Sequence, residues 1–306
     1  MTAEFDPPIG TPEELEAGLR RIVAPNPSPM TFRGTNTYIL GTGGLAVIDP
    51  GPDSSEHIDA ILQAVRPGQT ITHIIATHSH RDHSPAAGPL SVQTGAPVYA
   101  FGDAMAGRSE VMQRLAANGL ESGGEGVDHS FAPDINLQDG TVVKGDGWAL
   151  DVIHTPGHLG NHICLGWQDV CLTADHVMGW ATSLVSPPDG DLSDFMASCE
   201  RLLGRAWRVF YPGHGAPVTD PHERLIWLMD HRRAREAAIL NALEAGGQSV
   251  SAVTRRVYTD IPAALLSAAE RNVLAHLIDL YGKSRVACDD ISRTDAEFRL
   301  SPSRHD

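Results

Sequence analysis

Four potential metal ligands fall within six residues of Ala76-Thr77-His78-Ser79-His80-Arg81-Asp82-His83-Ser84, directly after the apolar run Ile71 to Ala76. Imidazole and carboxylate together suit zinc, manganese and ferrous iron at neutral pH. On a tight loop, His78 and His80 can point to one ion while Asp82 and His83 turn toward a second. One H-x-H pair could be two surface histidines; H-x-H-x-D-H behind a buried strand is far more specific. Three later segments repeat the context of a strand ending at a metal-capable side chain. Trp148 to Ile153 runs into His154-Thr155-Pro156-Gly157-His158, Ile163 to Leu172 into Thr173-Ala174-Asp175-His176, and Val209-Phe210-Tyr211 into Pro212-Gly213-His214-Gly215. Flanking prolines and glycines let the backbone turn sharply, so each side chain can reach inward. Two ions then receive three nitrogen or oxygen ligands each, and Asp175 can bridge them.

Two divalent ions about 3.5–4 Å apart can share a water and lower its pKa toward ~7, giving a hydroxide that attacks a carbonyl or a phosphorus. Asp175 would bridge the ions and Asp82 would also orient the nucleophile, which makes these two the catalytic candidates. No G-x-S-x-G elbow, Walker A loop or G-x-G-x-x-G competes with this chemistry.

The elements that must position these residues are partly legible. Glu13 to Arg21 reads as a helix, followed by the proline-rich Pro25-Asn26-Pro27-Ser28-Pro29. Thr37 to Leu40, the turn Gly41-Thr42-Gly43-Gly44 and Leu45 to Ile48 give a hairpin signal. It ends at Asp49-Pro50-Gly51-Pro52, where the chain must leave the sheet. A helix over about 55–66 and a buried strand from Ile71 to Ala76 follow. Residues 98–172 alternate strands and turns around one helix at about 103–118. This order predicts an α+β fold of mixed sheets covered by helices. After Pro221 three helical patterns (Glu223 to Ala245, Ser249 to Tyr258, Ile261 to Tyr281) precede two short strands, Ser284 to Ala287 and Glu297 to Leu300. That is the outline of a winged helix. The expected domains are 1–220, catalytic, and 221–306, small and winged-helix-like, with a tail fraying from Ser301.

Composition narrows the function. Of 306 residues, 42% are hydrophobic and 20% charged, which excludes a disordered or fibrous chain. No apolar run reaches the ~18 residues of a membrane span. The start, Met1-Thr2-Ala3-Glu4-Phe5-Asp6, lacks a basic-then-apolar leader, so the expected location is the cytoplasm. The net charge of −15 sits wholly in residues 1–220, whereas 221–306 carry 12 cations and 12 anions. An acidic body repels polyanions. The four cysteines form no C-x-x-C pair, and Cys164 and Cys171 lie in apolar runs as small core residues of a reducing compartment.

The motif His78-x-His80-x-Asp82-His83, with His158, Asp175 and His214, resembles the metallo-β-lactamase superfamily. The resemblance spans residues 30 to 220. It implies a four-layer αβ/βα sandwich with the site at the edge between two sheets. It places His78, His80 and His158 on a first metal, and Asp82, His83 and His214 on a second, with Asp175 bridging. Asp49 matches the family's aspartate behind the ligands. Ala174 departs from the glycine usual before the bridging aspartate. A narrower resemblance is to the lactamase-like protein 2 group. It rests on Asn26 to Thr31, Gly34 to Tyr38, Tyr211 to Gly215, His231-Arg232-x-x-Arg235-Glu236 and Asn272 to Leu277. That group carries a winged-helix-like tail, and it contains a single-strand endoribonuclease and, in a related fungal branch, acyl-carrier-protein thioesterases.

The expected activity is therefore a metal-dependent hydrolase acting through a metal-bridged hydroxide on a small ester, thioester or lactone. The ligand set admits several metals, zinc foremost. The alternative is a single-strand-specific endoribonuclease, for which residues 262–281 offer only Arg271 against Glu270 and Asp279, a poor phosphate track. A metal-binding protein without turnover is the third reading. The expected partner is a small molecule, with nucleic acid disfavoured by charge and no membrane. A homodimer is the commonest assembly for such chains. Further candidates behind the ligands or at the substrate mouth are Asn36 and Tyr38 on the hairpin, His154, His162, His176, and Trp180 in a Pro/Gly-rich loop. Trp207 and Trp227 read as core residues on helical faces.

Overall fold

A computed structural model of the chain describes residues 5–123, 126–293 and 295–302. Two sheets lie face to face between helices. The first has seven strands in chain order: β1 (Glu13–Glu16), β2 (Leu19–Val23), β3 (Asn36–Leu40), β4 (Gly44–Ile48), β5 (Thr70–Ile75), β6 (Val98–Ala100) and β7 (Ile135–Asn136). Its first four strands form an antiparallel meander, and the rest continue in parallel from β4. The second comprises β8 (Val142–Lys144), β9 (Ala149–His154), β10 (Ile163–Trp167), β11 (Val170–Ala174) and β12 (Val209–Pro212), in spatial order β12-β11-β10-β9-β8. Only β11 and β12 pair in parallel there.

Side chains of a strand alternate between its two faces, and here both faces are covered. Tyr38, Leu40, Ala46 and Ile48 from the first sheet meet Val152, Ile163, Leu165 and Leu172 from the second in the central core. Their neighbours Ile39, Leu45 and Val47 face the other way, against Ile58 and Ile61 of α1 (Ser55–Gln63) and Leu90 of α2 (Ala87–Thr94). On the far side, Cys164, Cys171 and Phe210 pack under Phe195 and Leu202 of α4 (Leu192–Leu203) and Leu225 and Leu228 of α5 (Pro221–Leu243). The result is the α/β/β/α sandwich expected from the resemblance. A further helix, α3 (Glu110–Ala117), starts at Ser109, whose hydroxyl accepts from Met112 N–H, and buries Met112 and Leu115 with the C-terminal helices.

α5 runs on from the sandwich into a second body. Its second half packs through Ile239 and Leu243 against α6 (Val250–Val257) and α7 (Leu266–Gly282). A three-stranded sheet of β13 (Gln248–Ser249), β14 (Val286–Ala287) and β15 (Glu297–Leu300), in order β13-β15-β14, completes a winged helix. α7 is its central helix, and every residue from Val273 to Leu280 is buried.

Three expectations are corrected. Glu13 to Arg21 is not a helix but the β1–β2 hairpin. Its glutamates favour a helix intrinsically, but Gly18 turns the chain at φ +86° and Glu13 pairs with Arg21 across the ladder. Tertiary pairing outweighs propensity there. The helix expected at 103–118 is confined to Glu110–Ala117, because Gly107 sits at φ +70° with Gly160 O where a Cβ would be. Trp227 is not core: it is half exposed on α5, off the buried stripe Leu225, Leu228, Met229 and Arg232. Its ring stacks on His231 with Arg224 above it. Trp207 lies in the loop before β12 and packs partly against Phe210. Of the expected frayed tail, Ser301 is fixed by its N–H to Arg285 O, and residues 303–306 lie outside the described residues.

Candidate metal centre

The strands that end at the candidate residues run the same way within each sheet, so their C-terminal loops share one edge of the sandwich. His78, His80, Asp82 and His83 follow β5; His158 follows β9, Asp175 follows β11, and His214 follows β12. All seven side chains converge. The ligand atoms of His78, His80, His158 and Asp175 lie within 4.8 Å of one another, as do those of Asp82, His83, Asp175 and His214. Asp175 belongs to both groups. Its Oδ1 lies 3.5 Å from His83 Nε2, and its Oδ2 lies 3.6 Å from His158 Nε2 and 3.4 Å from His214 Nε2.

The far side of several candidate ligands is held by the sandwich. His83 Nδ1 is 3.0 Å from Asp49 Oδ2. Asp49 in turn accepts from Thr77 N–H at 2.8 Å and from Thr77 Oγ1 at 2.9 Å. It takes this position at φ +50°, a conformation that Asp tolerates better than most residues. His158 Nδ1 faces Leu184 O at 2.7 Å and His214 Nδ1 faces Gly34 O at 3.2 Å. Both bonds place a ring N–H on Nδ1 and point Nε2 toward the centre. Ser183 Oγ lies within 2.8 Å of the backbone carbonyls of both Asp175 and His176, tying down the chain at the shared carboxylate.

The donor set fits divalent cations. His80 Nδ1 is 3.1 Å from His78 Nε2 and 3.0 Å from His158 Nε2. Three ring nitrogens aimed at one region cannot all satisfy one another by sharing protons. Asp175 Oδ1 is buried without a hydrogen-bond partner, which a cation would remedy. The electrostatics divide the two groups. Burial, reinforced by the imidazole of His158, pushes His80 down to about 3, and burial holds His78 well below the usual histidine range. These are neutral imidazoles, as ligands must be. Burial also opposes charge on His83 and His214, but Asp82, Asp175 and Asp49 outweigh it at His83. At His214, Asp175 and Asp82 outweigh it and raise the ring to about 10. A cation entering the second group must displace those protons, so its uptake strengthens as pH rises.

The remaining candidates divide. Asp49 stands behind the ligands as described. Asn36 does not face the substrate: it is fully buried, and its Nδ2 donates to Pro212 O and Gly215 O, bracing the turn that carries His214. Tyr38 does the same through its hydroxyl, 2.7 Å from Pro212 O. His154 stacks on Phe101 and bonds to Gly160 O, a role confined to its loop. His162 packs behind His78 with ring centroids 5.0 Å apart. His176 turns away from the centre toward Phe195 and Cys199. Trp180 lies at the mouth, stacked on Phe32. Missed from sequence were Thr77, Ser183 and the carbonyls of Gly34 and Leu184; Thr77 was detectable only as the hydroxyl beside the first histidine, and the others carried no signal.

Ala174 takes φ +42°, in the left-handed region that favours glycine. A β-carbon there carries about 1–2 kcal/mol of strain, partly offset by the greater unfolded-state freedom of glycine. Ala174→Gly is therefore expected to raise the urea unfolding free energy by up to about 1 kcal/mol. No gain would show that the turn is unstrained.

Above the ligands the cleft has two arms. A wider arm of about 570 Å³ mixes Asn26, Thr31, Arg81, Asp82 and Ser267 with apolar residues such as Met30 and Ala264. An apolar arm of about 320 Å³ is lined by Met178, Trp180, Leu184, Tyr258, Leu265 and Ala269. Both arms open on His158 and Asp175.

Residues 30–232 match the family described as the metallo-beta-lactamase superfamily, and residues 249–293 match the beta-lactamase associated winged helix domain. A beta-lactamase-like protein 2 homolog of Caenorhabditis elegans is 31% identical over 85% of this chain and 83% of its own length. An atrochrysone carboxyl ACP thioesterase of Cryptosporiopsis is 28% identical over 81% of this chain and 72% of its own. The crystal structure of a beta-lactamase domain protein from Burkholderia ambifaria superposes with a TM-score of 0.81 at 21% identity, covering 98% of this chain and 96% of that one.

Proposed function

Because the chain belongs to the metallo-β-lactamase superfamily of hydrolases, we propose that it cleaves a small thioester or ester with the aid of two divalent ions. The observation that carries this reading is the apolar arm of the cleft, which opens directly beside His158 and Asp175. His78, His80 and His158 would hold one ion, Asp82, His83 and His214 the other, and Asp175 would join them. Bound there, such ions supply Lewis acidity toward a carbonyl and lower the pKa of water. Asp82 reaches into the cleft with about a quarter of its side chain exposed, so it can accept a proton from the attacking water and orient it. Burial opposes its charge, but His83 and His214 hold its carboxyl well below the usual range and keep it an acceptor. Trp180, Tyr258 and Leu265 would wall the acyl group, while Arg81 brings positive charge to the wider arm. The thioesterase name of one relative supports a thioester over a lactone.

The winged helix gives the ribonuclease alternative less support than its outline suggests. Its central helix, α7, is buried on every side from Val273 to Leu280 and presents no face to a groove there. The deciding experiment is a panel on zinc- or manganese-loaded protein: p-nitrophenyl esters, acyl thioesters and a fluorescent single-stranded RNA, each with and without EDTA. The expected result is EDTA-sensitive thioester cleavage, restored by adding metal back, with RNA intact. EDTA-sensitive RNA cleavage with silence on thioesters would reverse the assignment.

A further inference from the structure

We infer that Arg232 and Asn272, from the helices of the C-terminal region, are positioning residues that hold the His158 and Asp175 side of the metal centre through residues 183–185. The inference rests on the reading of the histidine–aspartate cluster as a metal site, and concerns residues outside the ligand set.

The connection is continuous. Arg232, on α5, donates through Nη2 to Ser183 O and through Nη1 to Asn272 Oδ1 at 3.0 Å. The same Asn272 oxygen, on α7, accepts from Val185 N–H at 3.2 Å, while its Nδ2 reaches Ala268 O within the helix. Residues 183 and 185 are thus pinned from outside the sandwich. Between them, Leu184 O orients His158, and the Ser183 hydroxyl holds the carbonyl of Asp175. Each link is one hydrogen bond long, so displacement of 183–185 would be felt at two ligands at once. His83 and His214 are held instead by Asp49 and Gly34, independently of this segment.

The energetics suit positioning better than plain packing. Arg232 is buried, and among the described residues no carboxylate pairs with it. Its Nε has no partner, and its guanidinium lies 5.0 Å over the Phe195 ring. Burying a cation without a counter-ion is costly, and an apolar side chain of similar volume would pack the interface more cheaply. The planar fork of arginine can reach two acceptors on different segments together, which lysine cannot.

The test measures zinc itself, without substrate. Zinc equivalents and affinities are read by competition with a chromophoric chelator, and folding of the metal-free proteins by circular dichroism and urea unfolding. Because the segment holds both His158 and the shared Asp175, Asn272→Leu and Arg232→Met are expected to weaken zinc binding about 10-fold or more, the low end of the range for removing a group directly behind a ligand. Asn272→Asp keeps an oxygen for both Arg232 and Val185, and should stay within about threefold of wild type, well short of that loss. If Arg232→Met does not fold, Arg232→Lys, which keeps the charge but not the fork, takes its place. Wild-type zinc binding in Asn272→Leu and Arg232→Met, whatever their urea midpoints, would overturn the inference; so would equal losses in Asn272→Asp and Asn272→Leu. Wild-type protein that takes up no zinc would overturn the metal-site reading, and this inference with it.

Discussion

Asp175→Ala is expected to lose metal from both halves of the centre and to lower turnover by about 10³-fold or more, since bound metal contributes several kcal/mol to such reactions and each 1.36 kcal/mol is tenfold. Among the described residues, Asp175 is the one candidate ligand shared by the two groups. Its Oδ1 lies near His83, and its Oδ2 lies between His158 of the first group and His214 of the second. Asp175 carries its charge despite burial because His214 and His83 hold its carboxyl well below the usual range. Removing it takes the shared anionic side chain away from both halves. Asp175→Asn separates shape from charge: the amide fills the space, but its charge is gone, so it should behave like the alanine variant. Fold should survive, because the backbone of Asp175 is tied through its carbonyl to Ser183 and the neighbouring Ala174 carbonyl accepts from Gly213 N–H. Elemental analysis beside turnover decides the matter. Two metals retained in Asp175→Ala would remove the shared ligand from the scheme.

The candidate ligands that converge were legible because chemistry had narrowed the residue types. Imidazoles and carboxylates rarely cluster at the ends of apolar strands for any other reason, and His158, Asp175 and His214 each stood at such an end. What holds the ligands was harder to read. Gly34 and Leu184 act through backbone carbonyls, which every residue owns, so no side-chain type marks them. Which of its two offered places Asn36 takes, behind the candidate ligands or at the mouth, was hidden for a related reason. All five residues of β3 are buried, so alternation along the strand cannot say which neighbour faces a cleft and which a loop. The mistaken helix at Glu13 failed differently: the local preference was genuine, but the pairing partner Arg21 sits across a turn set by Gly18. Trp227 shows the limit of hydrophobicity as a guide, because its position off the buried stripe of α5 outweighs its composition.

Gly213→Ala should do nearly as much damage as removing a ligand, without touching one. Gly213 does not adopt the left-handed backbone that would itself demand glycine, so alanine is conformationally acceptable there. The obstacle is space. A β-carbon would run into Asp175 Oδ1 and stand 2.8 Å from His83 Cε1. The backbone cannot easily retreat, since Gly213 N–H donates to Ala174 O at 2.8 Å and its carbonyl accepts from Asn36 N–H at 2.7 Å. The strain must therefore fall on the carboxylate and the imidazole, both metal-ligand candidates. Forcing one carbon into such a site typically destabilises by about 1–3 kcal/mol. Displacing ligands by a fraction of an ångström should weaken metal binding and turnover by about 100-fold, the upper range for groups that only orient ligands. Gly88→Ala is the matched control: nothing lies within 4 Å of its would-be β-carbon, on helix α2. It should keep full metal, with no gain in stability, because Gly88 stands before Pro89, where a β-carbon disfavours the helical backbone. If Gly213→Ala binds zinc and turns over like Gly88→Ala, Asp175 does not occupy the space beneath the β12 turn, and the geometry of the shared carboxylate must be redrawn.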